Sequence, residues 1–104
     1  MHWLIAIPIY NEAGHIHSVL RKVREYAAEI LVVNDGSTDE TPNLLAAETD
    51  LRIITHPQNR GYGAALMSAF AYALEHGFDG LVTMDCDGQH EPSRIPVLLE
   101  AIHD

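Results

Sequence analysis

Cysteine and basic residues are scarce in this chain. Its single cysteine, Cys86, excludes an internal disulfide and a cysteine zinc knuckle, and suits a reducing compartment. Six Lys and Arg stand against 15 Asp and Glu, for a formal charge of −9. Sequence-independent nucleic-acid binding relies on many cations neutralising phosphates, so nucleic acid is excluded as a partner. An acidic protein that handles phosphates must do so locally, and a metal ion is the obvious means. No apolar run approaches the ~20 residues that span a bilayer. The N-terminus runs from Met1 straight into a strand-like segment, with no visible secretory signal. A soluble, cytoplasmic protein is therefore expected.

Several chemical templates are missing as well. There is no Gly-Lys-Ser/Thr for a phosphate loop and no Gly-x-Ser-x-Gly elbow for a hydrolase. Gly61-Tyr62-Gly63-Ala64-Ala65-Leu66 lacks the third glycine of the dinucleotide fingerprint and follows the third apolar run rather than the first. An EF-hand fails because the twelfth position counted from Asp85 is Pro96. The seven histidines are scattered and read as surface residues. His15 and His17 lie two apart, which on a helix points them to different faces. His90 is the exception, because it sits close to an acidic pair.

What is present has a regular syntax. With 104 residues, 47% hydrophobic and 20% charged, the chain reads as one ordinary globular domain. Four apolar runs, Trp3–Ile7, Ile30–Val33, Arg52–Thr55 and Gly80–Met84, are each followed by a polar break and a helical pattern. The second and fourth runs are continuously apolar, as expected of parallel strands buried on both faces. Ile16, Val19, Leu20 and Val23 follow i, i+3, i+4, i+7, and Arg21, Lys22 and Arg24 sit where a helix C-terminus favours cations. A second helix has two candidate starts, a Ser37/Glu40 capping box or a Thr41 cap with Pro42 as first helical residue. A third carries Leu66, Ala69, Phe70, Ala73 and Leu74 and stops at Gly77; a fourth is expected from Pro92 through Ile95, Leu98, Leu99 and Ile102. This repetition predicts an α/β fold, a parallel four-stranded sheet with helices on both faces and right-handed crossovers. Ligands in such sheets bind beyond the strands' C-terminal ends, where strand order reverses.

The polar breaks all fall on that rim. They are Pro8-Ile9-Tyr10-Asn11-Glu12, Asn34-Asp35-Gly36-Ser37-Thr38-Asp39, His56-Pro57-Gln58-Asn59-Arg60-Gly61 and Asp85-Cys86-Asp87-Gly88-Gln89-His90. Asp85 and Asp87 repel one another unless they share a divalent cation, although Asp and Gly are also common turn residues. Cys86 between them reads as a small buried hydrophobe rather than a ligand. Asp35 is either a turn or cap residue or a carboxylate that accepts hydrogen bonds from a nucleobase or ribose. Tyr10 and Pro8 offer a flat apolar surface for a base, or Tyr10 closes one end of the core.

Taken in order and in register, the stretches Ile7–Glu12, Val32–Asp39, Asn59–Ala65 and Met84–Pro92 resemble the family 2 inverting glycosyltransferases of the GT-A fold, which include dolichyl-phosphate mannose synthases and polyprenyl-phosphate sugar transferases. The resemblance implies that residues 1–104 form the Rossmann-like N-terminal, donor-binding half of such an enzyme. It implies a nucleotide-sugar pocket lined by Pro8, Tyr10, Glu12, Asp35, Asp85, Cys86 and Asp87, with Cys86 contributing through its backbone. Asp85 and Asp87 would hold Mg²⁺ or Mn²⁺ on the diphosphate of a GDP- or UDP-sugar, and the acceptor would be a polyprenyl phosphate or similar. Asn34 departs from the pattern, standing where many relatives have an acid. The acceptor site and catalytic base are expected beyond Asp104, so little transferase activity is expected of this chain alone. The longer protein is expected at the cytoplasmic face of a membrane. An exposed sheet edge and apolar face predict a homo-oligomer. Two other readings are a non-catalytic nucleotide- and metal-binding module and a flavodoxin-like phosphoacceptor domain. The latter expects a lysine at a late strand end, whereas the only lysine is Lys22.

Overall fold

The computed structural model describes residues 2–26, 29–84 and 94–98. Strands β1 (Trp3–Ile9), β2 (Glu29–Asn34), β3 (Arg52–Thr55), β4 (Gly80–Met84) and β5 (Arg94–Leu98) form one sheet in the order β3-β2-β1-β4-β5. The first four are mutually parallel, as the alternation of apolar runs and helical patterns requires. From β1 the chain steps outward through β2 and β3, then returns to the other side of β1 to form β4. Strand order therefore reverses between β1 and β4. The β1–β2 register runs to Ile9↔Asn34, whereas the β1–β4 register ends at Ala6↔Thr83. Among the described residues, the end of β1 that carries Pro8 thus pairs with β2 alone, at Val33.

Two cores explain why the central strands β1 and β2 carry apolar residues on both faces. Alternate side chains of a strand point to opposite faces. Ile5, Ile7 and Ile9 of β1 and Ile30 and Val32 of β2 pack with Ile16, Val19, Leu20 and Val23 of helix α1 (Ile16–Val23) and with Leu45 of α2 (Thr41–Ala46). Leu4, Ala6, Leu31, Val33 and Leu81 face the other way, onto Ala65, Ala69 and Ala73 of α3 (Tyr62–Glu75). Helices thus cover both faces, and each leucine fully buried this way contributes roughly 1.5–3 kcal/mol. The alanines at i, i+4, i+8 leave no bulk between α3 and the strands, so the helix lies close. Beyond the end of α3 the Gly77 N–H reaches the Leu74 carbonyl at 3.3 Å, and the φ of 75° at Gly77 lets the Phe78 N–H reach the Ala73 carbonyl at 3.0 Å.

Two expectations are corrected. Residues Arg94–Leu98 form a strand, antiparallel to β4 with Pro96 opposite Val82, where a fourth helix from Pro92 was expected. Pro96 would fall beyond the first turn of that helix, where its missing N–H and its ring disrupt helical bonding; an edge strand tolerates it. The sheet edge beside β4 is therefore paired, leaving the outer edge of β3 as the other flank. The second helix also uses neither anticipated cap. It begins at Thr41, whose N–H is taken by the Asp39 carboxylate at 2.9 Å, and Pro42 lies inside its first turn. Ser37 is engaged with β1's loop instead.

Candidate functional site

The loops after β1, β2 and β3 are laced into one rim. Asp35 N–H donates to the Ile9 carbonyl at 2.9 Å and His56 N–H to the Asn34 carbonyl at 2.9 Å, so each ladder runs one residue past its strand. Asn11 bridges the first two loops. Its N–H donates to the Ser37 hydroxyl at 2.9 Å, and its Oδ1 accepts from the N–H groups of Thr38 at 2.7 Å and Asp39 at 3.3 Å. It does this at φ 53°, a left-handed conformation that Asn tolerates better than most residues. Asn34 is buried, and its Oδ1 accepts the Ser37 N–H at 3.1 Å, a turn-closing role that the side-chain oxygen of Asn or Asp can fill.

Asp35 is the hub of the rim. It is only 4% exposed, yet its carboxylate is heavily bonded. Oδ1 accepts from His56 Nδ1 at 2.8 Å and Arg60 N–H at 2.9 Å; Oδ2 accepts from Gly61 N–H at 2.8 Å. Gly61 is the N-cap position of α3, so the carboxylate also meets the positive end of that helix. Burial alone would raise its pKa, but the His56 hydrogen bond and the two backbone N–H groups outweigh it and hold Asp35 below the ordinary carboxylate range. Close approach of the loops depends on Gly36. At φ 72° a side chain is strained, and a Cβ there would collide with the Gln58–Asn59 backbone.

The relay continues outward. His56 Nε2 meets the Ser68 hydroxyl of α3 at 2.8 Å. Ser68, with Arg60, Ala64, Met67 and Ala71, lines an open groove of about 470 Å³. His56 is buried, which corrects the reading of the histidines as surface residues. Its place on the rim between Thr55 and Pro57 was visible; its partners, 21 residues earlier and 12 later, were not. Asn11 and Ser37 were likewise missed as the lace between loops.

The remaining expected residues are distributed as follows. Tyr10 stands 44% exposed at the tip of β1, so it does not close the core, and Pro8 is buried beneath it. Glu12 is partly buried and turns to His15, with Oε2 at 3.0 Å from Nδ1, while its carbonyl accepts the N–H groups of His15 and Ile16 at the start of α1. Asp85, Cys86 and Asp87, as well as His90, lie outside the described residues; β4 is described as far as Met84. Among the described residues no cluster of three or more His, Cys, Asp or Glu is placed to hold a metal ion. No helix among them is long and apolar enough to cross a membrane.

Comparison with known proteins places this rim in context. The chain is 36% identical to undecaprenyl-phosphate mannosyltransferase of Micrococcus luteus over 108 aligned residues, covering 98% of this chain and 44% of that protein. It is 36% identical to polyprenol monophosphomannose synthase of Mycolicibacterium smegmatis, covering 95% of this chain and 40% of the relative. It thus spans less than half the length of these relatives. A solved structure from Desulfovibrio desulfuricans, described as a nucleotide-diphospho-sugar transferase, superposes with a TM-score of 0.64 over 99% of this chain and 52% of that one, at 13% identity, a likeness of fold. The family model for glycosyl transferase family 2 matches residues 4–104. With nearly its whole length matched, this chain belongs to glycosyl transferase family 2.

Proposed function

We propose that this chain is the donor-binding part of a metal-dependent glycosyltransferase that moves a sugar, with inversion, from a nucleoside-diphosphate-sugar to a lipid phosphate such as a polyprenyl phosphate. The observation that carries the reading is Asp35, a buried carboxylate held as an anion on the rim at the C-terminal ends of the parallel strands, with exposed Tyr10 following the Ile9 carbonyl that it bonds. A nucleoside fits there physically: an aromatic face for the base and a fixed acceptor for one of its N–H or O–H groups. The names of the relatives, one an undecaprenyl-phosphate mannosyltransferase, favour a lipid phosphate as acceptor. Such an acceptor is anionic near neutral pH and needs little help from a base. A lipid acceptor would bring the reaction to a membrane surface, which we read as the cytoplasmic one.

The proposed metal ligands are Asp85 and Asp87, which follow Met84 in the chain. Two carboxylates are hard oxygen donors that suit Mg²⁺ or Mn²⁺, and so few protein ligands leave positions for diphosphate oxygens. Bound there, the ion would neutralise charge on the departing nucleoside diphosphate. The chain's own residues do the holding: Asp35 fixes the nucleoside, Tyr10 backs the base, and Asn11 locks the loops that carry both.

Calorimetric titration with UDP and GDP, with and without Mn²⁺, tests this. Metal-dependent binding is expected, and Asp87→Ala should abolish the metal dependence. Absence of metal-dependent binding of either nucleotide would sink the proposal. Binding without sugar transfer to a lipid phosphate by the longer protein would reduce it to a non-catalytic nucleotide-binding module.

A further inference from the structure

We infer that the outward face of α3 is an interface between two copies of this chain, which pair antiparallel about a two-fold axis between Met67 and Ser68. Nucleotide binding neither supports nor sinks this, since it rests on the surface of one helix and not on the donor site.

A helix with one buried face ordinarily carries charges on the other. Helix α3 buries Ala65, Ala69 and Ala73 against the sheet, yet from Tyr62 to Leu74 it carries no charged residue at all. Away from those alanines lies the groove lined by Arg60, Ala64, Met67, Ser68 and Ala71. Met67 stands 67% exposed there, a flexible apolar knob beside a floor of small side chains. Two copies of a chain of charge −9 repel overall, and an uncharged helix face is where they can meet.

A two-fold interface needs a surface that complements itself, because each contact is made twice. Ala64, Ser68, Ala71 and exposed Glu75 recur at i, i+4, i+7 and i+11, one stripe of the helix, and Arg60 lines its N-terminal end. Turned over about a point between Met67 and Ser68, this stripe falls on itself with unlike partners. Arg60 then faces the partner's Glu75, Ala64 lies over the partner's Ala71, and the Met67 knob fills the gap at the partner's Ser68. A parallel pairing would instead set Arg60 on Arg60 and Glu75 on Glu75. Alanine at the crossing lets two helices approach to about 8–10 Å. Covering Ser68 orphans no hydroxyl, since it is already bonded to His56 Nε2 at 2.8 Å. The sheet edge beside β4, another route to self-association, is taken by β5.

One helix pair buries less than a standard interface, below about 1,200 Å², so a weak, concentration-dependent dimer is expected. Sedimentation equilibrium on this chain, from micromolar to millimolar concentration, should show the mass rising from one copy toward two. Met67→Glu sets two like charges at the axis and should leave a monomer throughout. Arg60→Glu and Glu75→Arg should each weaken the dimer about tenfold or more, because the two-fold makes each reversal count twice. The double reversal Arg60→Glu/Glu75→Arg should restore it to within about threefold of wild type. A wild type that stays monomeric at every concentration would overturn the inference and give this face to another occupant, a lipid or the rest of a longer protein. Association that persists in Met67→Glu would overturn it in favour of the outer edge of β3. A double reversal no tighter than the single ones would overturn the antiparallel pairing. Urea melts of dilute samples, which read the single copy, check folding: with Met67 so exposed, Met67→Glu should keep the wild-type midpoint. Should it unfold, the charge reversals decide.

Discussion

Asp35 and His56, the first residues beyond neighbouring strands β2 and β3, meet at 2.8 Å in a contact buried on both sides. Each backbone is also tied to the adjacent strand, so the pair closes the sheet ladder and the rim at the same point.

That pair makes the chain acid-sensitive in a definite direction. The carboxyl of Asp35 is held below its ordinary value when folded, so its stabilisation is fully present above the unfolded value near 4. It is lost as pH falls through that value toward the folded one. Urea unfolding at about pH 7 and about pH 3.5 should show Asp35→Asn less stable than wild type by about 1–3 kcal/mol at the higher pH, with the gap narrowing at the lower. A gap that widens on acidification would contradict the assigned direction.

Gly36 is where the β2 loop touches the Gln58–Asn59 backbone at positive φ. Gly36→Ala combines backbone strain with a collision, and about 1–3 kcal/mol of destabilisation is expected. The amide resonances of Arg60 and Gly61, which bond Asp35, should shift with it; unmoved resonances would mean the loops separate elsewhere.

At Asn11 two effects can be told apart. Asn11→Ala removes the Oδ1 bonds to Thr38 and Asp39 and places a side chain that resists φ 53° there, whereas Asn11→Gly removes only the bonds. The glycine variant should be the more stable of the two, by about 0.5–1 kcal/mol in thermal or urea melts. Equal losses would show that the bonds, and not the backbone, set the cost.

In the core on the α1 face, Leu20 is 1% exposed, while Met67 on α3 is 67% exposed. Leu20→Ala should cost about 2–5 kcal/mol and Met67→Ala within about 0.5 kcal/mol, read as urea midpoints at constant slope. A large loss at Met67 would reveal that its surface is covered.

What could be read from the residue order alone follows from which forces are local. The apolar runs set the strands and the spacing of Ile16, Val19, Leu20 and Val23 set α1, because burial on a face writes its period into the chain. Asp35 was legible as a candidate because an acid after four buried apolar residues is unusual. The fate of Ser37 was not legible, since a capping box with Glu40 and a bond to Asn11 look identical until β1 and β2 are neighbours. His56 was opaque for the same reason: its burial is created by Asp35 and Ser68, which are distant in the chain. At Arg94–Leu98, apolar spacing suggested a helix, and the single residue arguing otherwise was Pro96.

The alanine face of α3 reaches further than packing. Because Ala65, Ala69 and Ala73 let the helix rest directly on β1, β2 and β4, the sheet fixes the height at which its first turn stands over Asp35. A larger side chain at any of them would act as a shim under a beam, tilting the end that carries the Arg60 and Gly61 N–H groups. Two of the N–H groups that help hold Asp35 as an anion are therefore set in place by the thickness of a hydrocarbon layer several residues away.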